Sequence, residues 1–308
     1  MAQQATALVT GAGGLIGHWL ALPPLQPPRW WLPQCPRAAA CAGVKVYHPI
    51  TSKGRAAWLT ARLAARLGGS RLLAHGQAPP DAVQDLVKPR LPTGGAMAVM
   101  RCAHDDRFVV LMMDRAGRPS EVAKVNLSGT GGRSLHREAN AIAAYGRWLA
   151  PPLTAPRVLA NEPGLLVLDA VDWRMQWRPW RLTTDVAASL GAFHRRGRSR
   201  DGSGLAHGDC TPWNLLRHEA GWVLLDWECA RPDAPAYFDV LHFLVQSSTN
   251  LGKPSRSAVV HGVTTGRGWV GRVVWAYADA AGLDSAGAVE HLRAYLGARA
   301  KEGPQEGP

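Results

Sequence analysis

The sequence predicts an α+β chain of two lobes, a small β-rich lobe followed by a larger, mainly helical one. Three observations carry that prediction. Apolar residues repeat with period two over residues 96–102, 108–113 and 121–127, the period of strands. Later segments, residues 185–195, 270–281 and 286–298, carry apolar residues at helical spacing. At 308 residues the chain can bury a sizeable core and divide it between two lobes.

The chain opens with a strand-like stretch, residues 5–9, running into Thr10-Gly11-Ala12-Gly13-Gly14-Leu15-Ile16-Gly17. This resembles the opening of nucleotide-sugar epimerases and short-chain dehydrogenases, where glycines let a pyrophosphate approach a helix N-terminus. Here Pro23, Pro24, Pro27 and Pro28 cut the following helix short. No acidic residue precedes Asp81 to meet a ribose, and no tyrosine is followed four residues later by lysine. An NAD(P)-dependent epimerase or reductase built on Gly11, Gly14 and Gly17 therefore ranks last among the readings. Residues 1–28 are read as a mobile or loosely docked tail.

Residues 29–95 are read as an extension packing on the small lobe. They start with the aromatic cluster Arg29-Trp30-Trp31-Leu32-Pro33 and a strand over residues 44–48. Thr51 or Ser52 caps a helix reaching Leu67, with Ala57, Leu59, Leu63 and Leu67 as its apolar stripe and Gly68-Gly69 as its stop. The small lobe follows at residues 96–168. Its third strand puts Val122, Lys124 and Asn126 on one face, and the next helix carries Glu138. The turn over residues 102–107 contains no glycine.

Residues 205–228, LAHGDCTPWNLLRHEAGWVLLDWE, hold the chemistry. His207-Gly208-Asp209 is followed, five residues past the aspartate, by Asn214, and a strand-like run over 222–225 delivers Asp226-Trp227-Glu228. Phosphoryl transfer from a nucleotide needs these residue types in this order. One aspartate takes or orients the proton of the attacking hydroxyl, while an asparagine and a second aspartate hold the Mg²⁺ that neutralises phosphate charge. A lone HGD tripeptide in a turn would carry no such meaning, whereas the joint pattern does.

These motifs resemble the aminoglycoside phosphotransferase and choline kinase family, small-molecule kinases with the protein-kinase-like fold. In that family the catalytic loop reads HGD-x-x-x-x-N and the metal aspartate commonly sits in a D-[WF]-[ED] context. The resemblance covers roughly residues 96–245. It implies transfer of the γ-phosphoryl group of ATP, with GTP as an alternative donor, to a hydroxyl of a small molecule such as a sugar, amino alcohol or aminoglycoside-like compound. Asp209 would be the base and His207 would brace its loop. Asn214 and Asp226 would hold Mg²⁺, and Glu228 would assist the metal or bind substrate. Lys124 would reach the α- and β-phosphates, positioned by Glu138. The backbone of Leu168, Asp169, Ala170 and Val171 would face the adenine at the hinge. The glycine-free turn keeps a second reading open, a pseudokinase or nucleotide-sensing module that binds without turnover.

The larger lobe, residues 169–302, begins with Trp173, Trp177 and Trp180, read first as core or interface and second as a stacking site. Thr184 caps a helix over 185–195 with Leu190, Phe193 and His194 near its buried face. Asp239 caps the helix after the motif or bonds the catalytic loop. Residues 303–308 read as a frayed, disordered tail.

The net charge of +12 lies in the first half, where residues 1–150 hold 18 Lys/Arg against 7 Asp/Glu. The basic residues are isolated among alanines and leucines, so nucleic acid is not expected, and a protein partner on the basic extension is the interaction such a face suggests. The charge-balanced second half leans toward a neutral or anionic acceptor over a polycation. No stretch is apolar enough over a sufficient length to span a bilayer, and the start has no basic region typical of a signal peptide. Cys35, Cys41, Cys102, Cys210 and Cys229 form no C-x-x-C pair, which suggests reduced thiols and a cytoplasmic protein. Cys210 and Cys229 flank the motif, where inert packing is preferred over reactivity.

Overall fold

The computed structural model describes residues 19–22, 28–34, 37–67, 78–102, 106–128 and 132–302. The glycine-rich segment 10–17, the Gly68-Gly69 stop, residues 103–105 of the turn over 102–107 and the tail at 303–308 lie outside them.

The fold is α+β, an antiparallel sheet followed by a mainly helical region. The N-terminal part runs β1 (Trp19–Leu22), β2 (Trp30–Pro33), α1 (Arg37–Gly43), α2 (Ser52–Leu67) and α3 (Asp81–Val87), then β3 (Ala96–Arg101), β4 (Arg107–Met113) and β5 (Pro119–Asn126). It closes with α4 (Gly132–Tyr145), β6 (Leu153–Thr154), β7 (Val158–Glu162) and β8 (Leu165–Asp169). Seven of these strands make one sheet in the order β1-β2-β3-β4-β5-β8-β7. Every pairing in it is antiparallel, and Lys124 lies opposite both Val109 and Leu166 near the middle.

The period-two pattern feeds two cores, because both faces of this sheet are covered. Met97, Val99, Val110 and Met112 pack with Val83 and Val87 of α3 on one side. Ala96, Ala98, Leu111 and Met113 pack on the other against Val44, Val46 and Trp58 of the extension. Trp19–Leu22, which the sequence places in the tail, is one of the sheet's two edge strands, with Trp19 and Leu20 buried.

The extension departs from its sequence reading in two further ways. Residues 44–48 are not a strand: Val44–Val46 form a 3-10 turn after α1, burying Val44 and Val46. Helix α2 spans Ser52–Leu67 as expected, but its buried face is Trp58, Ala61 and Ala65, while Leu59, Leu63 and Leu67 are exposed. Alanines allow the close approach to α1 that leucines at those positions would block.

The same segment reaches across to the larger lobe. Trp173 donates its indole N–H to the Lys45 carbonyl at 3.0 Å, Arg55 donates to the Trp177 carbonyl at 2.9 Å, and Lys45 pairs with Asp172. Trp173 and Leu216 belong to the core that the extension shares with the sheet.

The larger lobe contains α5 (Thr184–Arg196), β9 (Gly204–Ala206), β10 (Leu215–His218), β11 (Gly221–Leu224) and β12 (Arg231–Ala234). Then come α6 (Phe238–Leu251), α7 (Arg256–Thr265), α8 (Gly268–Ala281) and α9 (Ala288–Glu302). Leu190, Phe193 and His194 are buried on α5, whose N-cap is Thr183 in place of the expected Thr184. Helices α5 and α8 pack at backbone distance: a Cβ at Gly191 would fall 2.2 Å from the Tyr277 carbonyl oxygen. No helix among the described residues is long and apolar enough to cross a membrane.

Candidate active site

Strand β9 delivers His207-Gly208-Asp209 into a loop that β10 closes just after Asn214. The backbone is pinned from below by Asp239 at the start of α6, 1% exposed, whose carboxylate accepts from the N–H groups of His207 at 2.8 Å and Gly208 at 3.0 Å. Of the two roles the sequence allows Asp239, this is the loop-bonding one. Gly208 adopts φ +84°, and a Cβ there would lie 2.2 Å from the Cys229 carbonyl oxygen, so only glycine fits.

His207 is fully buried with its ring edge-on to Trp227 at 5.0 Å, and its Nδ1 accepts from the Asp209 N–H at 3.3 Å. Burial lowers its pKa against the pull of Asp239 and Asp209, which keeps the ring neutral and able to accept. Asn214 bridges the five-residue step, donating through Nδ2 to the Asp209 carbonyl at 2.9 Å and to Oδ2 at 2.8 Å.

Two residues after β11, Asp226 stands in the left-handed region at φ +67°, a conformation that costs a non-glycine residue about 1 kcal/mol. It meets Lys124 of β5, whose Nζ lies 2.9 Å from Asp226 Oδ1 and 2.7 Å from each oxygen of Glu138 on α4. Burial alone would lower the Lys124 pKa, but the Asp226 and Glu138 carboxylates outweigh it and raise it. Lys124 in turn holds the Asp226 carboxyl below its ordinary value. Glu138 is 2% exposed, and burial pushes its carboxyl up against the opposing pull of Lys124.

The donor set suits a hard cation. Asn214 uses its amide nitrogen on Asp209, and its carbonyl oxygen accepts no hydrogen bond from the described residues. With the Asp226 carboxylate that makes two protein oxygens, the number with which Mg²⁺ commonly binds while keeping water ligands. Glu228 pairs with Arg107 of β4 at 3.3 Å on the wall of the same cleft.

Lys124, Glu138, Asp209, Asn214, Asp226 and Glu228 line one cleft of about 1330 Å³, while His207 and Asp239 are buried behind it. Leu168, Asp169 and Val171 also line it, while Ala170 donates its N–H to the Ser120 carbonyl at 3.3 Å and packs into the core under the extension. The three tryptophans part company: Trp173 is 5% exposed in the core, Trp177 is exposed, and Trp180 lies under Lys253 at 4.9 Å. Cys210 is buried, and burial drives its thiol pKa far up; Cys229 is exposed at the surface, and partial desolvation with the Asp209, Glu228 and Asp226 carboxylates raises its thiol to about 11, so neither is a reactive thiolate.

The sequence reading passed over His242. Its Nε2 lies 3.0 Å from Asp209 Oδ1 and its Nδ1 lies 2.8 Å from the Tyr295 hydroxyl. A signal existed, since His242 follows Asp239 by three residues and so shares its helix face.

Among solved structures, the chain is similar in fold to macrolide 2'-phosphotransferase MphH from Brachybacterium faecium, with a TM-score of 0.51 at 15% identity over 71% of this chain and 90% of that one. The streptomycin–ATP ternary complex of APH(2'')-IIa matches at a TM-score of 0.45 and 10% identity, over 72% of this chain and 89% of that one. No curated protein matches. The model of the phosphotransferase enzyme family APH matches residues 82–283, which contain the loop, both aspartates, Lys124 and Glu138. The chain therefore belongs to the APH phosphotransferase enzyme family.

Proposed function

We propose that this phosphotransferase moves the γ-phosphoryl group of ATP to a hydroxyl group of a small molecule. The observation that carries the reading is the convergence on one cleft of Asp209, backed by Asn214, with Lys124, held by Glu138 and Asp226. In this reading Lys124 binds the α- and β-phosphates, and Asn214 with Asp226 holds Mg²⁺. The bound metal supplies charge neutralisation on the phosphates. Asp209 accepts the hydroxyl proton as the acceptor oxygen bonds to the γ-phosphorus and the bond to the ADP oxygen breaks. His207 and Asp239 keep the loop in place, so catalysis comes from positioning and fixed charge.

The acceptor end of the cleft supports a neutral or anionic hydroxyl compound. Helices α6, α7 and α9 line it with apolar residues such as Val245, Val259 and Leu292, and with Arg256 and Arg299. No carboxylate from these helices lines it among the described residues, and a polycation would need several.

A thermal-shift titration with Mg-ATP and Mg-GTP, on wild type and Asp226→Ala, tests the donor site. Ligand at a hundred times its Kd stabilises by about 2.7 kcal/mol. A Mg-dependent shift that the variant loses, followed by phosphate transfer in a panel of hydroxyl compounds read by ³¹P NMR, is the expected result. Binding without transfer to any acceptor would favour the pseudokinase reading. A preference for aminoglycosides over sugars would overturn the acceptor class.

A further inference from the structure

We propose that His242 is a positioning residue for the Asp209 carboxylate, held in a single tautomer by Tyr295. The inference rests on Asp209 serving as the base in the reading above. Each oxygen of Asp209 has its own partner: Oδ2 takes the Asn214 amide at 2.8 Å, and Oδ1 faces His242 Nε2 at 3.0 Å. An ionised carboxylate only accepts, so Nε2 carries the proton. In the neutral ring the other nitrogen, Nδ1, is then an acceptor, and the Tyr295 hydroxyl 2.8 Å away is its donor. One tautomer satisfies both bonds; the opposite one sets a bare Nε2 lone pair against the carboxylate.

The ring has little freedom to leave this arrangement. His242 is 7% exposed and Tyr295 is 8% exposed. Phe238 stacks on the imidazole with ring centroids 5.6 Å apart and planes 19° apart, while Tyr295 meets it edge-on. One face of α6 thus grips the catalytic loop twice, through Asp239 at the backbone and through His242 at the side chain. With a donor fixed on each oxygen the carboxylate cannot rotate, and the remaining lone pairs face the cleft in one orientation. Tyr295 sits on α9 beside Leu292 and Leu296, which line the acceptor end. Occupancy of that end and the orientation of Asp209 therefore depend on the same helix.

The test uses full-length wild type, His242→Leu, His242→Gln and Tyr295→Phe. Rates of ADP release from Mg-ATP are read with water alone and with each compound of the hydroxyl panel, and ¹⁵N NMR of the histidine side chains reads the tautomer in the resting protein. We expect His242→Leu to lower kcat by about a hundredfold while leaving KM for Mg-ATP within about twofold, since misplacement of a reacting group by about an ångström costs that much. His242→Gln, which keeps an N–H donor, recovers most of the rate. Tyr295→Phe leaves a mixture of tautomers and an intermediate kcat. An unchanged kcat in His242→Leu, or a resting Nδ1–H tautomer in wild type, overturns the proposal. A wild type that releases no ADP under any condition defeats the phosphotransferase reading and this role with it, and is recognised because all four proteins are then equally silent.

Discussion

Lys124 Nζ lies 2.9 Å from Asp226 Oδ1, joining the sheet of the small lobe to the loop after β11 in the large one. Any cation held by Asp226 competes with this ammonium for the carboxylate. Asp226→Asn is therefore expected to keep the fold, because Lys124 retains Glu138, and to lose the Mg-dependent part of stabilisation by ATP. Melting temperatures with Mg²⁺ and with chelator, each with and without ATP, check this. An equal ATP shift in both media would count against Asp226 as a ligand.

Lys124→Met should be costly for a different reason. It leaves Glu138 buried without its cation, a change worth about 3–5 kcal/mol at neutral pH. The folded-state carboxyl of the variant would titrate above its unfolded value, so the lost stability returns as pH falls and Glu138 takes a proton. Urea unfolding of variant and wild type at pH 7 and pH 5 should show the gap narrowing in acid.

Gly208→Ala is expected to destabilise by about 3 kcal/mol or more and to displace the catalytic loop. The added methyl would fall within 2.2 Å of the Cys229 carbonyl oxygen at a φ of +84°. A variant with wild-type unfolding midpoint and unchanged nucleotide binding would contradict the close approach of these two segments.

Trp173→Ala removes the ring that packs between His48 and Trp58 and the indole N–H bonded to Lys45. A loss of about 3–5 kcal/mol is expected. Residues 37–67 should then become sensitive to limited proteolysis before the rest of the chain. Uniform protection would show that the extension is held by the sheet alone.

His48 gives the extension a pH dependence. Burial lowers its pKa from 6.5 to about 4, against a weak upward pull from the Trp213 backbone that falls short of hydrogen-bond geometry. Between these values the unfolded chain binds a proton that the folded chain refuses. The stabilisation is complete above pH 6.5 and is lost as pH falls through the window, by about 2 kcal/mol at pH 5. His48→Leu should remove that share of the acid sensitivity in urea unfolding at pH 7 and pH 5.

The sequence by itself determined the features that depend on a few neighbouring residues. Period-two alternation located β3, β4 and β5 because successive side chains of a strand face opposite sides. The five-residue step from Asp209 to Asn214 is closed by a local turn, and the structure spans it with two hydrogen bonds. Tertiary structure decided everything that depends on which surfaces meet. Leu59, Leu63 and Leu67 form as regular a stripe as Trp58, Ala61 and Ala65, and only the closeness of α1 makes the alanine face the buried one. Tyr295 and His242 stand 53 residues apart, and Lys124 and Asp226 stand 102 apart. No local periodicity encodes such pairs, because they form when separate elements pack, and chain-closure entropy is nearly indifferent to which distant residues are brought together.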